Sequence, residues 1–300
     1  MTMVCFDRVC KSFAGKLVLD DFTLTVDKGE VYGLLGPNGC GKSTAINILC
    51  NLLDPDMGTV RIMGREASGD AARLTGLCPQ EIALYRDLHP EENLRFFGQI
   101  HGLSAADREK RVSNLIQLFG LEQFARTPVG VLSGGWQRRV NIAVALVHSP
   151  GVLILDEPTS AVDLEARHEL WRLIEVLKGS GTTIVLTTHH LDEAERLCSR
   201  IGIMKDGRIA REGSVAELLA LVPGRQVVQI DTIEEGAVLG RAVELGWGIR
   251  HYAGKIACLL PKEESLRSVV DAFDGIDVSA VSLQRVSLEH AFLEVIRHDA

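Results

Sequence analysis

The sequence lacks an apolar run that could span a bilayer, for which about 18 consecutive residues are needed. The nearest stretch, VNIAVALVHSPGVLILDEP, is divided by His148, Ser149, Pro150 and Gly151 into two short segments typical of a buried core. The amino terminus, MTMVCFDRVCKSF, lacks the basic and then apolar order of a secretory signal. We therefore expect a chain that is soluble by itself and that needs partners for any role at a membrane.

The cysteines follow no recognisable pattern, and basic residues are in the minority. Seven cysteines are present, an odd number, and no two are spaced as CxxC. This argues against a disulfide framework and a zinc site, and it favours a reducing compartment. The chain carries 32 lysines and arginines against 40 aspartates and glutamates, a formal net charge of -8. An acidic balance is untypical of nucleic-acid binders, so we expect no nucleic-acid partner.

What the sequence does contain is a phosphate-binding motif. GPNGCGKST begins directly after VYGLL (Val31–Leu35), an apolar run that predicts a buried strand, and it leads into STAINILCNLL, whose apolar spacing predicts a helix. This is the G-x-x-x-x-G-K-[ST] pattern in its strand–loop–helix context. The glycines let backbone N–H groups turn inward onto phosphate oxygens, and the helix adds its dipole. The predicted nucleotide-binding residues are Gly36, Pro37, Asn38, Gly39, Cys40, Gly41, Lys42, Ser43 and Thr44.

Side chains of this loop have distinct predicted roles. Lys42 supplies a mobile positive charge for the terminal phosphates, and Ser43 can place its hydroxyl on Mg²⁺. Cys40 lies among inward N–H groups at a helix start, which predicts a lowered thiol pKa and raised reactivity.

A pair of carboxylates follows a second apolar run. In GVLILDEPTSAVD, Val152–Leu155 predicts a buried strand, and Asp156 and Glu157 stand at its carboxyl end, where open α/β sheets bind ligands. Asp156 suits contact with Mg²⁺, directly or through an intervening group, and Glu157 suits polarisation of an attacking water. The alternative is a solvated acidic turn, which the upstream phosphate loop disfavours.

A second anion receptor lies between these motifs. LSGGWQRRVNIAVALVHSP opens with Ser133-Gly134-Gly135 before an amphipathic helix, and such a helix start also binds anions. One phosphate chain scarcely needs two receptors from one subunit. The sequence therefore predicts a composite site in which this receptor faces the nucleotide of another subunit.

With these motifs in place, the chain resembles the ATP-binding subunits of ABC transporters. The motifs stand in the family's order: GPNGCGKST, Gln80 in LCPQE, LSGGW, LILDEP, SAVD and His189 in TTHH. The resemblance covers roughly residues 1–220. It implies an ATPase that uses ATP and Mg²⁺, pairs with a second ATP-binding subunit in a homodimer, and serves integral membrane permease subunits at the cytoplasmic face of the cell membrane.

The resemblance also assigns roles to single residues. Gln80 would touch Mg²⁺ and the attacking water, His189 would contact the γ-phosphate unless it packs in the core, and Asp163 would cross the dimer interface. Phe13 in KSFAG would stack on adenine, or else belong to the core. Ala161 replaces a glycine that is common in the family, without removing a catalytic group.

The predicted fold is α/β: a P-loop NTPase core of the ABC ATPase type, with an N-terminal antiparallel β-subdomain, a helical insertion over about residues 84–146, and a small α+β C-terminal domain. HPEEN predicts a helix start with Pro90 in its first turn. Pro223-Gly224 marks a boundary, which gives domains over 1–222 and 223–300. The second domain should contain strands RQVVQID and KIACLL and helices EGAVLGRAVELG, SLRSVVDAFDG and SLEHAFLEVI, in a ferredoxin-like arrangement.

Two further features bear on the partner. In the family the helical insertion docks membrane subunits, so Leu84, Tyr85 and Arg86 are candidate contacts, or else they cover the insertion's own core. The ending VSLEHAFLEVI resembles the SLE-x-x-F ending of ABC-2-type exporter ATPases, although helix packing alone could explain it. We expect an ABC-2-type exporter subunit. The alternatives are a soluble ABC ATPase acting on ribosomes or DNA, and a nucleotide-binding regulator without activity.

Overall fold

The computed structural model describes residues 1–252 and 255–297, apart from the side chains of residues 70–72 and 297. The chain divides into two compact units, Met1–Ser214 and a second unit that begins at Val215. The division into domains over 1–222 and 223–300 stays a prediction.

The first unit alternates strands and helices along the chain. Its strands are β1 (Thr2–Phe13), β2 (Lys16–Asp27), β3 (Val31–Leu35), β4 (Met57–Ile62), β5 (Arg65–Glu66), β6 (Thr75–Cys78), β7 (Val152–Asp156), β8 (Thr183–Thr188), β9 (Arg200–Lys205) and β10 (Arg208–Gly213). Its helices are α1 (Lys42–Leu49), α2 (Pro90–Ile100), α3 (Ala105–Leu118), α4 (Gly134–Ala145), α5 (Leu164–Gly179) and α6 (Leu191–Leu197). Short 3₁₀ turns cover Gly69–Leu74, Glu122–Phe124 and Val129–Val131.

An antiparallel sheet forms the N-terminal β-subdomain, as predicted. Its strand order is β2-β1-β4-β5. Buried and exposed residues alternate along the second half of β2, the pattern of a sheet with one face on the core and one in water. On the inner face the rings of Phe6 and Phe22 meet edge to face, with centroids 5.1 Å apart.

The second sheet is the central one, and it is mostly parallel. Its strand order is β10-β9-β3-β8-β7-β6, and only the β10–β9 pairing in it is antiparallel. Every residue of β3 and of β8 is buried, as expected where both faces of a parallel sheet are covered. The apolar runs that predicted strands at 31–35 and 152–155 therefore form inner strands of this sheet.

Helices α2, α3 and α4 form the predicted helical insertion between β6 and β7. Helix α2 begins at Pro90, as HPEEN predicts, with His89 as its N-cap. The Glu92 carboxylate accepts a hydrogen bond of 2.9 Å from the His89 backbone N–H. Pro90 has no N–H that would be left unpaired at the helix start. Pro90 and Glu92 therefore both favour a helix that begins here.

The second unit is a small α+β domain of the predicted kind. Its elements are α7 (Val215–Leu219), β11 (Gln226–Thr232), α8 (Glu235–Glu244), β12 (Gly248–Tyr252), β13 (Lys255–Leu260), α9 (Leu266–Ala272), β14 (Val278–Arg285) and α10 (Leu288–Arg297). The sheet has the order β12-β13-β11-β14, and all its pairs are antiparallel. The β11-to-β14 segment thus has the βαββαβ order of a ferredoxin-like domain. In the described part of the chain, no helix is both long and apolar enough to cross a bilayer.

Two stacked histidines join the helical insertion to the central sheet. His101 is the C-cap of α2, and its ring stacks on His148 at 3.7 Å between centroids and 5° between planes. His148 Nε2 lies 3.0 Å from the Thr75 carbonyl oxygen, while its Nδ1 is buried and has no hydrogen-bond partner among the described residues. Burial, together with the nearby His101 and Arg111, lowers the pKa of His148 to about 4. The imidazole is therefore neutral in the folded protein at neutral pH.

The pKa of His148 predicts an acid dependence of stability. Between about pH 6.5 and pH 4 the unfolded chain binds a proton here and the folded chain does not. The free energy of unfolding should therefore fall as the pH falls through this window. His148→Gln keeps a donor for Thr75 and cannot titrate, so urea unfolding should give a flatter profile. His168→Gln, at an exposed histidine of α5, is the control. An unchanged slope for His148→Gln would contradict the assignment.

Candidate functional site

The predicted motifs come together along one edge of the central sheet. The phosphate loop follows β3, His189 follows β8, and Gln80 follows β6. Asp156 is the last residue of β7, and Glu157 comes directly after it. These four strands are neighbours in the order β3-β8-β7-β6 and are parallel. Their carboxyl ends therefore meet at one edge, the position at which open α/β sheets bind ligands.

The phosphate loop has the conformation that its glycines predict. Gly39 and Gly41 adopt φ values of 81° and 109°, in the region that favours glycine. A Cβ on Gly36 would lie 2.6 Å from Cys40 Sγ and 2.7 Å from the Met204 carbonyl oxygen. The backbone is thus packed too closely at Gly36 for any larger residue.

The remaining loop residues differ in exposure. Pro37, Asn38, Gly39 and Ser43 are exposed, and Thr44 is half-buried. Lys42, by contrast, is buried, and its Nζ donates to the carbonyl oxygens of Gly36 at 2.7 Å and Pro37 at 3.2 Å. The ammonium group thus closes the loop on itself.

Cys40 does not have the lowered pKa that the motif predicts. The thiol is 7% exposed, and its burial raises the pKa despite the opposing effects of the Lys42 charge and of backbone N–H groups. The prediction is wrong because it considered the local dipoles and not the desolvation of a thiolate by the packing around the loop.

Glu157 is the centre of a hydrogen-bonded group. Gln80 Nε2 donates to Glu157 Oε2 at 3.0 Å, and His189 Nδ1 lies 3.1 Å from Glu157 Oε1. Next to it, the hydroxyl of Thr187 donates a hydrogen bond to the Asp156 carboxylate. Two of the predicted catalytic side chains, Gln80 and His189, therefore contact the third, Glu157, although the three residues follow three different strands. Thr187 was not predicted, because a threonine inside TIVLTT reads as part of a buried strand.

A second residue that sequence analysis missed is Arg138 in α4. It is 2% exposed and donates to the carbonyl oxygens of Gln80 and Glu157, both at 2.9 Å. In LSGGWQRR it reads only as a continuation of the motif. The structure places it against the backbone of the two residues whose side chains meet at this edge, Gln80 and Glu157.

Ser133-Gly134-Gly135 begins α4, as predicted. Ser133 is the N-cap and is exposed, as is Gly134, and the Ser133 hydroxyl makes no cap hydrogen bond. A Cβ on Gly135 would lie 2.6 Å from the Ala166 Cβ, so the first turns of α4 and α5 pack together. No hydrogen bond among the described residues joins this segment to residues 36–44.

Asp163 and Ala161 shape the loop before α5. Asp163 is exposed, and its carboxylate caps α5 by accepting from the Ala166 N–H at 2.8 Å. Ala161 adopts φ 59°, in the region where the family's common glycine is unstrained.

Phe13 lies at the end of β1 and outside the core. Its side chain is 45% exposed, so the alternative of a core phenylalanine is wrong. The β1–β2 hairpin adjoins the phosphate loop, since a Cβ on Gly41 would lie 2.8 Å from the Val18 carbonyl oxygen. An exposed aromatic ring therefore stands in the hairpin beside the phosphate loop.

The fold and this edge define the chain as a P-loop ATPase of the ABC type, and comparisons with known proteins agree. The family described as ABC transporter matches residues 19–160. The chain is 36% identical over 309 residues to a daunorubicin resistance ATP-binding protein of Streptomyces coeruleorubidus, covering 99% of this chain and 97% of the relative. It is 43% identical over 229 residues to Nod factor export ATP-binding protein I of Paraburkholderia xenovorans, covering 75% of each.

Solved structures give the same answer. An ATP-binding subunit of an ABC transporter aligns with a TM-score of 0.66 at 32% identity, over 73% of this chain and 92% of that one. A dimeric bacterial ABC transporter cassette aligns with a TM-score of 0.63 at 30% identity, over 71% and 98%. The chain belongs to the ATP-binding subunits of ABC transporters, in the group of ABC-2-type exporter ATPases. It is an ATPase, and the alternative of an ATPase acting on ribosomes or DNA does not fit these relatives.

The close packing at Gly36 predicts the effect of a single methyl group. Gly36→Ala must displace either Cys40 or the Met204 backbone, and so distorts the phosphate loop. We expect the dissociation constant for ATP to rise at least about tenfold, or roughly 1.4 kcal/mol. Fluorescent-nucleotide titration measures this. Gly179→Ala, at a helix end with no neighbouring atom within 4 Å, should bind normally. Equal affinity of the two variants would count against a phosphate site here.

Proposed function

We propose that Glu157 activates the water that attacks the γ-phosphate of ATP, with Gln80 and His189 as its positioning partners. The observation that carries this is the position of the Glu157 carboxylate, which lies 3.0 Å from Gln80 Nε2 and 3.1 Å from His189 Nδ1. A carboxylate with one group on each oxygen has a fixed orientation. Fixed orientation is what a general base needs.

Hydrolysis forms one bond to the γ-phosphorus and breaks one. The water oxygen bonds to the γ-phosphorus, the bond from that phosphorus to the β-phosphate oxygen breaks, and the water proton leaves through Glu157. ADP and phosphate are the products. His189, whose Nδ1 lies 3.1 Å from Glu157 Oε1, contacts the γ-phosphate.

Lys42 and the loop residues 36–44 hold the phosphates. The Lys42 ammonium exchanges the carbonyl oxygens of Gly36 and Pro37 for phosphate oxygens, which are stronger acceptors because they are charged. Asn38, Gly39, Cys40, Gly41 and Thr44 contribute backbone or hydroxyl donors.

The residues around the phosphate position fit Mg²⁺. The Ser43 hydroxyl, the Gln80 amide oxygen and the Asp156 carboxylate are all oxygen donors, which this hard cation prefers. Thr187 orients Asp156. When bound, Mg²⁺ would neutralise charge on the β- and γ-phosphates.

The other half of the site comes from a second copy of the chain. Ser133, Gly134 and Gly135 offer an exposed helix start, and α4 is long enough to present a helix dipole. Asp163 stands beside it because α4 and α5 pack at their first turns. We infer a homodimer in which these residues close over the nucleotide held by residues 36–44 of the partner, while Phe13 stacks on its adenine.

The helical insertion contacts integral membrane permease subunits. Tyr85 is 50% exposed and packs edge to face on Phe96 at 4.7 Å. The loop is rigid because buried Asn93 donates to the carbonyl oxygens of Tyr85, Leu88 and His89. This supports Leu84, Tyr85 and Arg86 as the docking loop, at the cytoplasmic face of the membrane. The domain over 223–300 contributes none of the residues proposed for the ATP site.

The composite site predicts recovery of activity on mixing two inactive proteins. Lys42→Ala removes the positive charge that binds the terminal phosphates. Ser133→Arg fills the helix start that faces the nucleotide of the partner. Each mutant homodimer therefore has two damaged sites. A mixed dimer has one site with both lesions and one intact site. It should recover up to about half of the wild-type rate if the sites act independently. Phosphate release measures the rate.

Glu157→Gln is the companion variant. It should bind MgATP, fail to activate water, and elute as a dimer from a sizing column. If the mixture stays inactive and this variant stays monomeric, while all proteins are folded, the composite site is wrong.

The docking loop makes a separate prediction. Tyr85→Asp should leave the ATPase rate of the isolated chain unchanged, because Tyr85 touches no nucleotide group. It should abolish co-purification of an integral membrane protein with the tagged chain from detergent-solubilised membranes. Leu118→Asp, at another exposed apolar position of the insertion, is the matched control. Retained co-purification by Tyr85→Asp would place the contact elsewhere.

A further inference from the structure

Arg138 is a buried charge whose hydrogen-bond acceptors are three carbonyl oxygens and, at 3.8 Å from Nη1, the Cys78 Sγ. It is 2% exposed and ranks among the largest fully buried side chains of the described residues. Its Nη1 donates to the Pro79 carbonyl oxygen at 2.6 Å, and its Nη2 donates to those of Gln80 and Glu157, both at 2.9 Å. Removing a guanidinium from water is costly and needs well-made hydrogen bonds in return. The backbone of these loops supplies them.

Arg138 joins two of the loops that carry the proposed hydrolysis centre, which is Glu157 with Gln80 and His189. Gln80 follows β6 and Glu157 follows β7, which are adjacent parallel strands. One nitrogen of Arg138 bridges their carbonyl groups, while their side chains meet through the 3.0 Å bond from Gln80 Nε2 to Glu157 Oε2. Gln80 and Glu157 are thus tied together twice, once by their side chains and once through their backbones.

Glu157 needs such a restraint because its backbone is strained. Its φ is 46°, in the left-handed region that is unfavourable for a non-glycine residue. Its N–H donates to the Thr187 carbonyl oxygen at 3.0 Å, and its own carbonyl accepts from Arg138 Nη2 at 2.9 Å and from the Ser160 N–H at 3.1 Å. The residue is therefore fixed on both sides. Without Arg138 the Glu157 carbonyl keeps only the Ser160 N–H and loses its link to the Gln80 backbone, so the carboxylate can shift relative to Gln80.

Arg138 also belongs to the helix that begins at the second anion receptor. Ser133 caps α4, and Arg138 lies in the first part of that helix, little more than one turn of about 3.6 residues beyond its start. If a partner's nucleotide binds at Ser133 and shifts this helix, the guanidinium shifts too. The carbonyl groups of Gln80 and Glu157, which are hydrogen-bonded to it, are then displaced.

We propose that Arg138 is a positioning residue that sets the placement of Glu157 and Gln80, and that it couples the α4 helix start to the hydrolysis centre of the same chain. This rests on the roles proposed above for Glu157 and Gln80. It predicts that the chemical step, and not the binding of MgATP, depends on Arg138.

The neighbouring arginine is a matched control. Arg139 lies in the same helix, and its partners are the Phe119 carbonyl oxygen at 3.2 Å, the Glu169 carboxylate and the Trp136 ring at 4.3 Å. None of these belongs to the hydrolysis centre. A general loss of helix stability should affect Arg138 and Arg139 variants alike, whereas a positioning role should affect only Arg138.

The experiment compares Arg138→Gln, Arg138→Lys and Arg139→Gln by kcat, KM and the dissociation constant for MgATP. Arg138→Gln should lower kcat by about 10- to 100-fold, the effect of misplacing a catalytic group by about 1 Å, and leave MgATP affinity within about twofold. Arg138→Lys keeps the charge but loses the planar fork, so its kcat should be intermediate. Arg139→Gln should keep kcat near the wild-type value.

A double-mutant cycle decides the outcome if Arg138→Gln does not fold. Arg138→Lys should cost a smaller factor in kcat in a Gln80→Ala background than alone, because one of the two residues it places is then missing. Equal factors in both backgrounds, or a raised KM with unchanged kcat, would overturn the proposal. If wild-type activity does not depend on Glu157, the proposed function fails; if it does and Arg138 variants keep full kcat, only this inference fails.

Discussion

The register of the parallel strands is the constraint on which the site depends. Hydrogen bonding pairs Leu35 with Thr188, Thr187 with Asp156, and Leu155 with Cys78. Each is at or next to the carboxyl end of its strand, so the loops that follow start at one level. A slip of one residue would turn every side chain of a strand to the other face, and would separate Glu157 from Gln80 and His189. Burial of both faces of β3 and β8 makes such a slip costly.

Buried polar contacts fix the orientation of the groups that the strand register brings to this edge. Thr187 holds Asp156, and Arg138 holds the carbonyl of Glu157. Both side chains are buried. Each keeps these hydrogen bonds because an unpaired polar group in the interior costs about 1–3 kcal/mol. The same principle applies to Asn93, which fixes the loop that displays Tyr85. The chain thus uses a few enclosed side chains to make its functional loops rigid.

Much of the fold and site was readable from the sequence, for a physical reason. The phosphate loop, the carboxylate pair and the α4 start are local patterns, in which neighbouring residues determine the backbone. Strands β12 and β14 were missed because they are edge strands of their sheet, and β14 is largely exposed, so neither contains a long apolar run. The inward direction of Arg138 and the raised pKa of Cys40 depend on packing between distant segments, which spacing along the chain does not encode.

The two carbonyl partners of Lys42 have a consequence for nucleotide release. The Lys42 ammonium donates to the carbonyl oxygens of Gly36 and Pro37, which belong to the same loop as the lysine. In the exchange proposed for nucleotide binding, phosphate oxygens replace these two acceptors. The buried ammonium therefore has hydrogen-bond acceptors on both sides of the exchange, and release of ADP does not leave an unpaired polar group, which would cost about 1–3 kcal/mol.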